Sequence, residues 1–188
     1  MASTGFTLPG DSGQIADGGT EPWQNQNAVE TEANYADSLS LDAGDETELI
    51  YGYDYGFSIP AGATITGIEV RVTRYRRDDG PGRVRTTKTK KATLMDGAST
   101  LGNDNKDTDT ADWAQDPSTE TITYGGSSDL WGASGTIDRA FVQSSDFGAG
   151  ISAKGVSPCT NSNAYLKFIK INVHYTAPEP EFRAQVIV

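Results

Sequence analysis

The strongest apolar patterns in this chain repeat every second residue. From Leu49 to Ile59 the odd positions are Leu49, Tyr51, Tyr53, Tyr55, Phe57 and Ile59, while the even ones include Gly52, Asp54, Gly56 and Ser58. Thr64 to Tyr75 sets Ile68, Val70 and Val72 against Glu69, Arg71 and Thr73. Ala164 to Thr176 sets Ile169, Ile171, Val173 and Tyr175 against Lys170, Asn172 and His174. Successive side chains of a strand point to opposite faces, so each run predicts a strand with one face for a core and one for water. No segment sustains a 3.6-residue period, and the nearest to a helix is a turn or two around Glu30 to Ser38. Further strands are predicted at Val84 to Met95, Glu120 to Tyr124, Phe141 to Gln143 and Ala149 to Lys154. The chain therefore reads as all-β: an antiparallel β-sandwich, jelly-roll-like, with extended N- and C-terminal arms.

Turn chemistry divides the pattern. Pro60-Ala61-Gly62-Ala63 is expected to join the first two strands, and Asp78-Asp79-Gly80-Pro81-Gly82 to close a hairpin between two basic strands. Residues 1–22 carry only isolated Phe6, Leu8 and Ile15 among Gly, Ser, Thr and Asp, too sparse for a core, and read as an arm. The core is expected over residues 23–176. After it, Ala177-Pro178-Glu179-Pro180-Glu181 reads as a stiff spacer leading to the apolar end Phe182-Arg183-Ala184-Gln185-Val186-Ile187-Val188. A length of 188 residues suits one such core.

Composition narrows the function. Hydrophobic residues are 36% of the chain, too few for a large multi-layer enzyme core. Cys159 and His174 are the only residues of their types, which removes internal disulfides, thiol zinc sites and most histidine-based catalysis. The expectation is a protein with no catalytic residues, no metal and no cofactor. No stretch approaches the ~20 apolar residues of a membrane-spanning helix, and residues 1–13 do not resemble a signal peptide, so no membrane partner is expected. The net charge is −11, yet residues 71–91 hold nine of the 15 basic residues against Asp78 and Asp79 alone. Such overall acidity disfavours nucleic acid, while the basic ribbon has two readings: a solvated or edge-guarding strand face, or a contact for an acidic partner through Arg74, Arg76, Arg85 and Lys88.

Four motifs invite chemical readings. Asp104, Asp107, Asp109, Asp112 and Asp116, with Asn103 and Asn105, are rich in oxygen ligands, but an EF-hand register places Thr110 at its glycine position and Asp116 at its glutamate position. A solvated loop is the expectation. Asp146-Phe147-Gly148 spells a kinase metal-binding tripeptide without the companion motifs, and reads instead as a strand start with Phe147 in the core. His174 falls on a polar strand face with no nucleophile elbow. Trp23, Trp113 and Trp131 with the tyrosines could form a sugar-stacking platform, although strand alternation assigns Trp131 and the Tyr51, Tyr53, Tyr55 row to the sandwich interior.

The run Phe57-Ser58-Ile59-Pro60-Ala61-Gly62-Ala63-Thr64-Ile65-Thr66-Gly67-Ile68-Glu69-Val70 resembles β-sandwich modules of tailed-bacteriophage virion proteins. So do Ser144-Ser145-Asp146-Phe147-Gly148, the closing Ile169 to Thr176, and upstream Trp23 and Asn34-Tyr35-Ala36. The resemblance covers about Trp23 to Thr176 and concerns fold maintenance. It implies a non-enzymatic structural protein, with two expected roles: a capsid decoration (cement) protein on the outer surface of the head, or a carbohydrate-binding or tail-tip adhesin module. The first implies synthesis in the host cytoplasm, the major capsid protein lattice as partner, and self-association with a homotrimer as the form suggested by many decoration proteins. The terminal residues Phe182, Val186, Ile187 and Val188 would then serve as an anchor.

Overall fold

The computed structural model describes residues 1–78, 86–101, 106 and 111–178. Its strands run in chain order as β1 (Ala2–Ser3), β2 (Asp11–Ile15), β3 (Trp23–Gln24), β4 (Ala36–Ser38), β5 (Leu49–Tyr53), β6 (Thr64–Asp78), β7 (Thr87–Asp96), β8 (Ser99–Leu101), β9 (Glu120–Gly125), β10 (Phe147–Gly155) and β11 (Ser162–Thr176). All strand pairs are antiparallel, in a six-stranded sheet ordered β3-β4-β11-β6-β9 with β1 beside β11, and a five-stranded sheet ordered β2-β5-β10-β7-β8.

That order has a simple origin. β7 pairs with β8, β6 with β9, β5 with β10 and β4 with β11, so the second half of the chain retraces the first as one long antiparallel ribbon. Rolling the ribbon brings β6 beside β11 and β7 beside β10 and divides it into two facing sheets. This is the jelly roll. It corrects the expected hairpin, because β6 and β7 lie in different sheets, and the Pro60–Ala63 turn that joins β5 to β6 likewise crosses between sheets. Turn residues dictate that the chain reverses; they do not dictate whether it returns along its own sheet or crosses to the opposite one.

The sandwich interior holds Ile68, Val70 and Val72 of β6, Leu94 of β7, Phe147, Ala149 and Ile151 of β10, and Ile169, Ile171 and Val173 of β11. All three tryptophans are buried there, and each indole N–H has an acceptor: Glu48 O for Trp23 at 2.8 Å, Thr89 Oγ1 for Trp113 at 3.2 Å and Ile68 O for Trp131 at 3.0 Å. Phe147 opens β10 in the core as expected. The adjacent Gly148 is required, since a Cβ there would stand 2.3 Å from the Gly52 carbonyl.

The phase of β5 departs from expectation. Ile50 faces the interior, whereas Leu49, Tyr51 and Tyr53 form a separate small cluster with Met95 and Ile15 on the outer side of the five-stranded sheet. Asp54, in the left-handed region at φ 56°, resets the alternation, so that Tyr55, Phe57 and Ile59 do enter the main core. Two local predictions also change. The helical turn is a 3-10 turn at Gln26–Glu30, and Ala36–Ser38 is strand. Phe141–Gln143 is not strand: α1 (Arg139–Val142) forms because Asp138 caps it, accepting from the Phe141 amide at 2.8 Å.

The N-terminal arm is extended and lies docked on its own sandwich. Ala2–Ser3 and Thr7 pair with β11, and Asp11–Ile15 with β5. These are the strand edges that the rolled ribbon leaves on one side, so the arm covers backbone groups that would otherwise template aggregation.

Candidate functional site

The residues expected to meet a partner have different fates. Arg85, Phe182, Val186, Ile187 and Val188 lie outside the described residues, as do Asn103, Asp104, Asn105, Asp107 and Asp109 of the oxygen-rich run. Arg74 is a correction: it is 0% exposed. Its even position continues the inward row of Ile68, Val70 and Val72, and its charge is met inside the sandwich. Nε donates to Glu120 Oε1 at 2.8 Å, Nη1 donates to Tyr124 Oη at 2.9 Å and to Thr89 Oγ1, and the guanidinium lies 5.1 Å from the Trp113 ring. Such a group organises a core.

The other described cations of the basic ribbon are also engaged within the chain. Arg76 Nε donates to the Trp113 carbonyl at 3.0 Å, and Lys88 pairs with Asp112 at 3.7 Å. Lys91 pairs with Asp17 at 2.9 Å and Lys90 with Glu46, while Arg71 stacks on Phe6 at 3.6 Å and Arg77 stands 4.0 Å from Asp116. The charge asymmetry of the sequence is therefore largely consumed in folding: acids of the N-terminal half and of residues 112–120 meet the basic strands. Asp112 and Asp116, read earlier with the oxygen-rich run, face these cations.

Polar side chains converge in two places on the outer face of the six-stranded sheet. Towards the end of β11, His174 Nε2 and Asn172 Nδ2 stand 3.0 and 2.9 Å from the same Glu69 oxygen. Burial pushes the Glu69 carboxyl up, and the hydrogen bonds from His174 and Asn172 and the charges of His174 and Arg71 outweigh it, so Glu69 titrates below its ordinary value. The Thr4 hydroxyl accepts from the Val173 amide at 3.0 Å beside this cluster, which ties it to the docked arm. No serine or cysteine nucleophile is among its hydrogen-bond partners, and its chemistry is that of a clasp.

The second place lies at the other end of the sheet. Tyr75 and Tyr165, directly opposite on β6 and β11, stack at 4.5 Å and 8°. Tyr35, just before β4, meets Tyr75 edge-on at 4.9 Å and 90°. Burial, then the neighbouring tyrosines and Asp116, push the Tyr75 phenol up to about 12. Tyr35 also lines a recess of about 480 Å3 with Asn25, Asn27, Ala28, Thr31, Ala33 and Asn34. Sequence reading noted Asn34-Tyr35 only as part of a resemblance. Outward parity of Tyr75 and Tyr165 was the available signal for this cluster, but their proximity to Tyr35 depends on strand pairing. The alternative of a tryptophan platform is closed, since all three indoles are buried.

Among the described residues no group of three or more His, Cys, Asp or Glu side chains is placed to hold a metal ion, and no helix is long and apolar enough to cross a membrane. Neither a protein-family model nor a curated protein matches the chain. Among solved structures it is similar to an apo-form cyclase from Fischerella sp., at 9% identity over 93% of this chain and 88% of that one, with a TM-score of 0.36. A likeness at that level carries no argument about activity.

Proposed function

We propose that this protein is a non-enzymatic structural protein of a tailed-phage virion, a decoration protein bound to the outside of the capsid lattice and associating with its own copies. The observation that carries the reading is that, among the described residues, both sheets have all their strands by Thr176. β11 is an inner strand whose last residue already pairs with Thr64, so no further strand is needed to finish either sheet. Phe182, Val186, Ile187 and Val188 follow in the sequence as an apolar run beyond a Pro-Glu-Pro spacer, and in this reading they are the anchor. Buried on a neighbour, such side chains contribute ~1.5 to 3 kcal/mol each before the cost of ordering the segment. The buried Arg74 and the paired basic strands support the same reading from the other side, because charges locked into folding leave attachment to apolar contact.

The test is co-sedimentation with capsids lacking the protein. The full chain is expected to bind in stoichiometric amount. A chain ending at Ala177 is expected to keep the strand circular-dichroism spectrum and melting temperature while losing capsid binding. Full occupancy by the shortened chain would overturn the proposal, and so would its unfolding, which would make the segment part of the core.

A further inference from the structure

We infer that the recess beside Tyr35 is a binding site for a neutral oligosaccharide. None of its seven lining residues is charged, and three are asparagines. A carboxamide offers a donor and an acceptor a fixed distance apart, which suits the neighbouring hydroxyls of a pyranose; Thr31 adds a further hydroxyl. An uncharged wall in a protein of net charge −11 disfavours phosphate and carboxylate ligands. At about 480 Å3 the recess lies within the ~300 to 1,000 Å3 typical of small-molecule sites.

Preorganisation separates this recess from an ordinary polar surface. Tyr35 supplies its one aromatic wall, and that ring is fixed by Tyr75 edge-on at 4.9 Å, by Tyr165 at 6.4 Å and by the Lys167 ammonium at 5.6 Å. An aromatic face held in place stacks on the C–H face of a sugar at little entropic cost. Asn25 has a left-handed backbone at φ 54°, and its Nδ2 donates to Asp37 at 3.1 Å, which leaves Oδ1 to accept from a ligand. Charged groups beside the recess are themselves engaged: Asp37 by Asn25, Glu32 by Lys170, and Lys167 over the Tyr35 ring. The seven lining residues offer phosphate no cation, Lys167 being so placed, and an apolar ligand would meet too many amides.

The site is independent of the proposed attachment to capsids, since none of its residues belongs to the terminal segment. The full chain is titrated with maltotriose, cellotriose and tri-N-acetylchitotriose, followed by amide chemical shifts and tyrosine fluorescence, with sialyllactose as the anionic comparison. Saturable binding of at least one neutral trisaccharide is expected, localised to residues 25–35. Asn27→Ala, at an exposed position, and Tyr35→Ala are each expected to weaken it by ~10-fold or more, while Tyr35→Phe retains it because stacking needs the ring and not the hydroxyl. Asn27→Ala guards against misfolding of the tyrosine variant, and it should leave capsid co-sedimentation unchanged. Absence of binding by all three neutral probes at ~10 mM overturns the inference, for even a weak site is half-filled in the millimolar range. So does tighter binding of sialyllactose, or binding that survives both alanine substitutions.

Discussion

Removing Glu120 should damage this protein more than removing Arg74, although Arg74 is the more deeply buried partner. Arg74 is 0% exposed, whereas the Glu120 side chain is 25% exposed. In Glu120→Ala the guanidinium stays in the sandwich with Tyr124, Thr89 and the Trp113 ring around it but without the Glu120 carboxylate. Breaking a buried pair in this way costs ~3 to 5 kcal/mol, and partial access of water to the Glu120 side brings the expectation to the low end, about 3 kcal/mol. In Arg74→Met the charge itself is gone. Thr89 Oγ1 and Tyr124 Oη, 3.1 Å apart, still satisfy each other, Glu120 turns to water, and a similar side-chain volume refills the core. That change should cost about 1 kcal/mol, and Arg74→Met with Glu120→Leu should be near neutral. For a domain of this size 1 kcal/mol corresponds to ~2 to 4 °C, so Glu120→Ala should melt ~6 to 12 °C below the parent and Arg74→Met ~2 to 4 °C below it. Calorimetry and urea unfolding of the two single variants and the double variant provide the measurement. If Arg74→Met is the more destabilised single variant, the reasoning from an uncompensated buried charge is refuted.

Four further outcomes are expected. Glu69 and Asp129 both titrate below their ordinary values of 4.5 and 3.8; for Asp129, burial is outweighed by hydrogen bonds from Lys106 and the Trp131 amide and by the Lys106 charge. Carboxyls lowered by folding contribute stability above their unfolded pKa and lose it as pH falls through the folded one. Melting temperature should therefore decline from about pH 4.5 downward, less steeply in Glu69→Gln. The phenols of Tyr53, through its hydrogen bond to Asp11, and of Tyr75, through burial, are pushed up to about 12, so a 295 nm titration should show late-ionising tyrosines and stability lost between pH 10 and 12. Gly148→Ala should cost at least ~2 kcal/mol in urea unfolding, because its methyl meets backbone that cannot yield. Deleting residues 1–15 uncovers edges of β5 and β11 and should produce concentration-dependent association by light scattering; a monomer as well behaved as the parent would show that the arm is not an edge guard.

The alternation of residues 64–75 and 164–176 was sufficient to place β6 and β11 and their buried faces, because a strand's period is a property of its own backbone. It also put Phe147 at the start of β10 and Trp131 inside. What local period cannot carry is which strand lies next to which, and the same turns at residues 60–63 and 78–82 serve equally well for a hairpin or a crossing between sheets. Nor can it carry phase through an irregular residue: Asp54 in the left-handed region turned the Leu49, Tyr51, Tyr53 row outward and the Tyr55, Phe57, Ile59 row inward. Arg74 had the parity of a core residue throughout, and only its charge argued for the surface. Its burial became tenable once β7 and β9 brought Thr89, Tyr124 and Glu120 to it from 15, 50 and 46 residues away. The salt bridges of the basic strands, the docked arm and the tyrosine-walled recess share that dependence. Each joins residues distant in the chain, so each exists only after the ribbon has rolled, and the energy that decides it is absent from any segment taken alone.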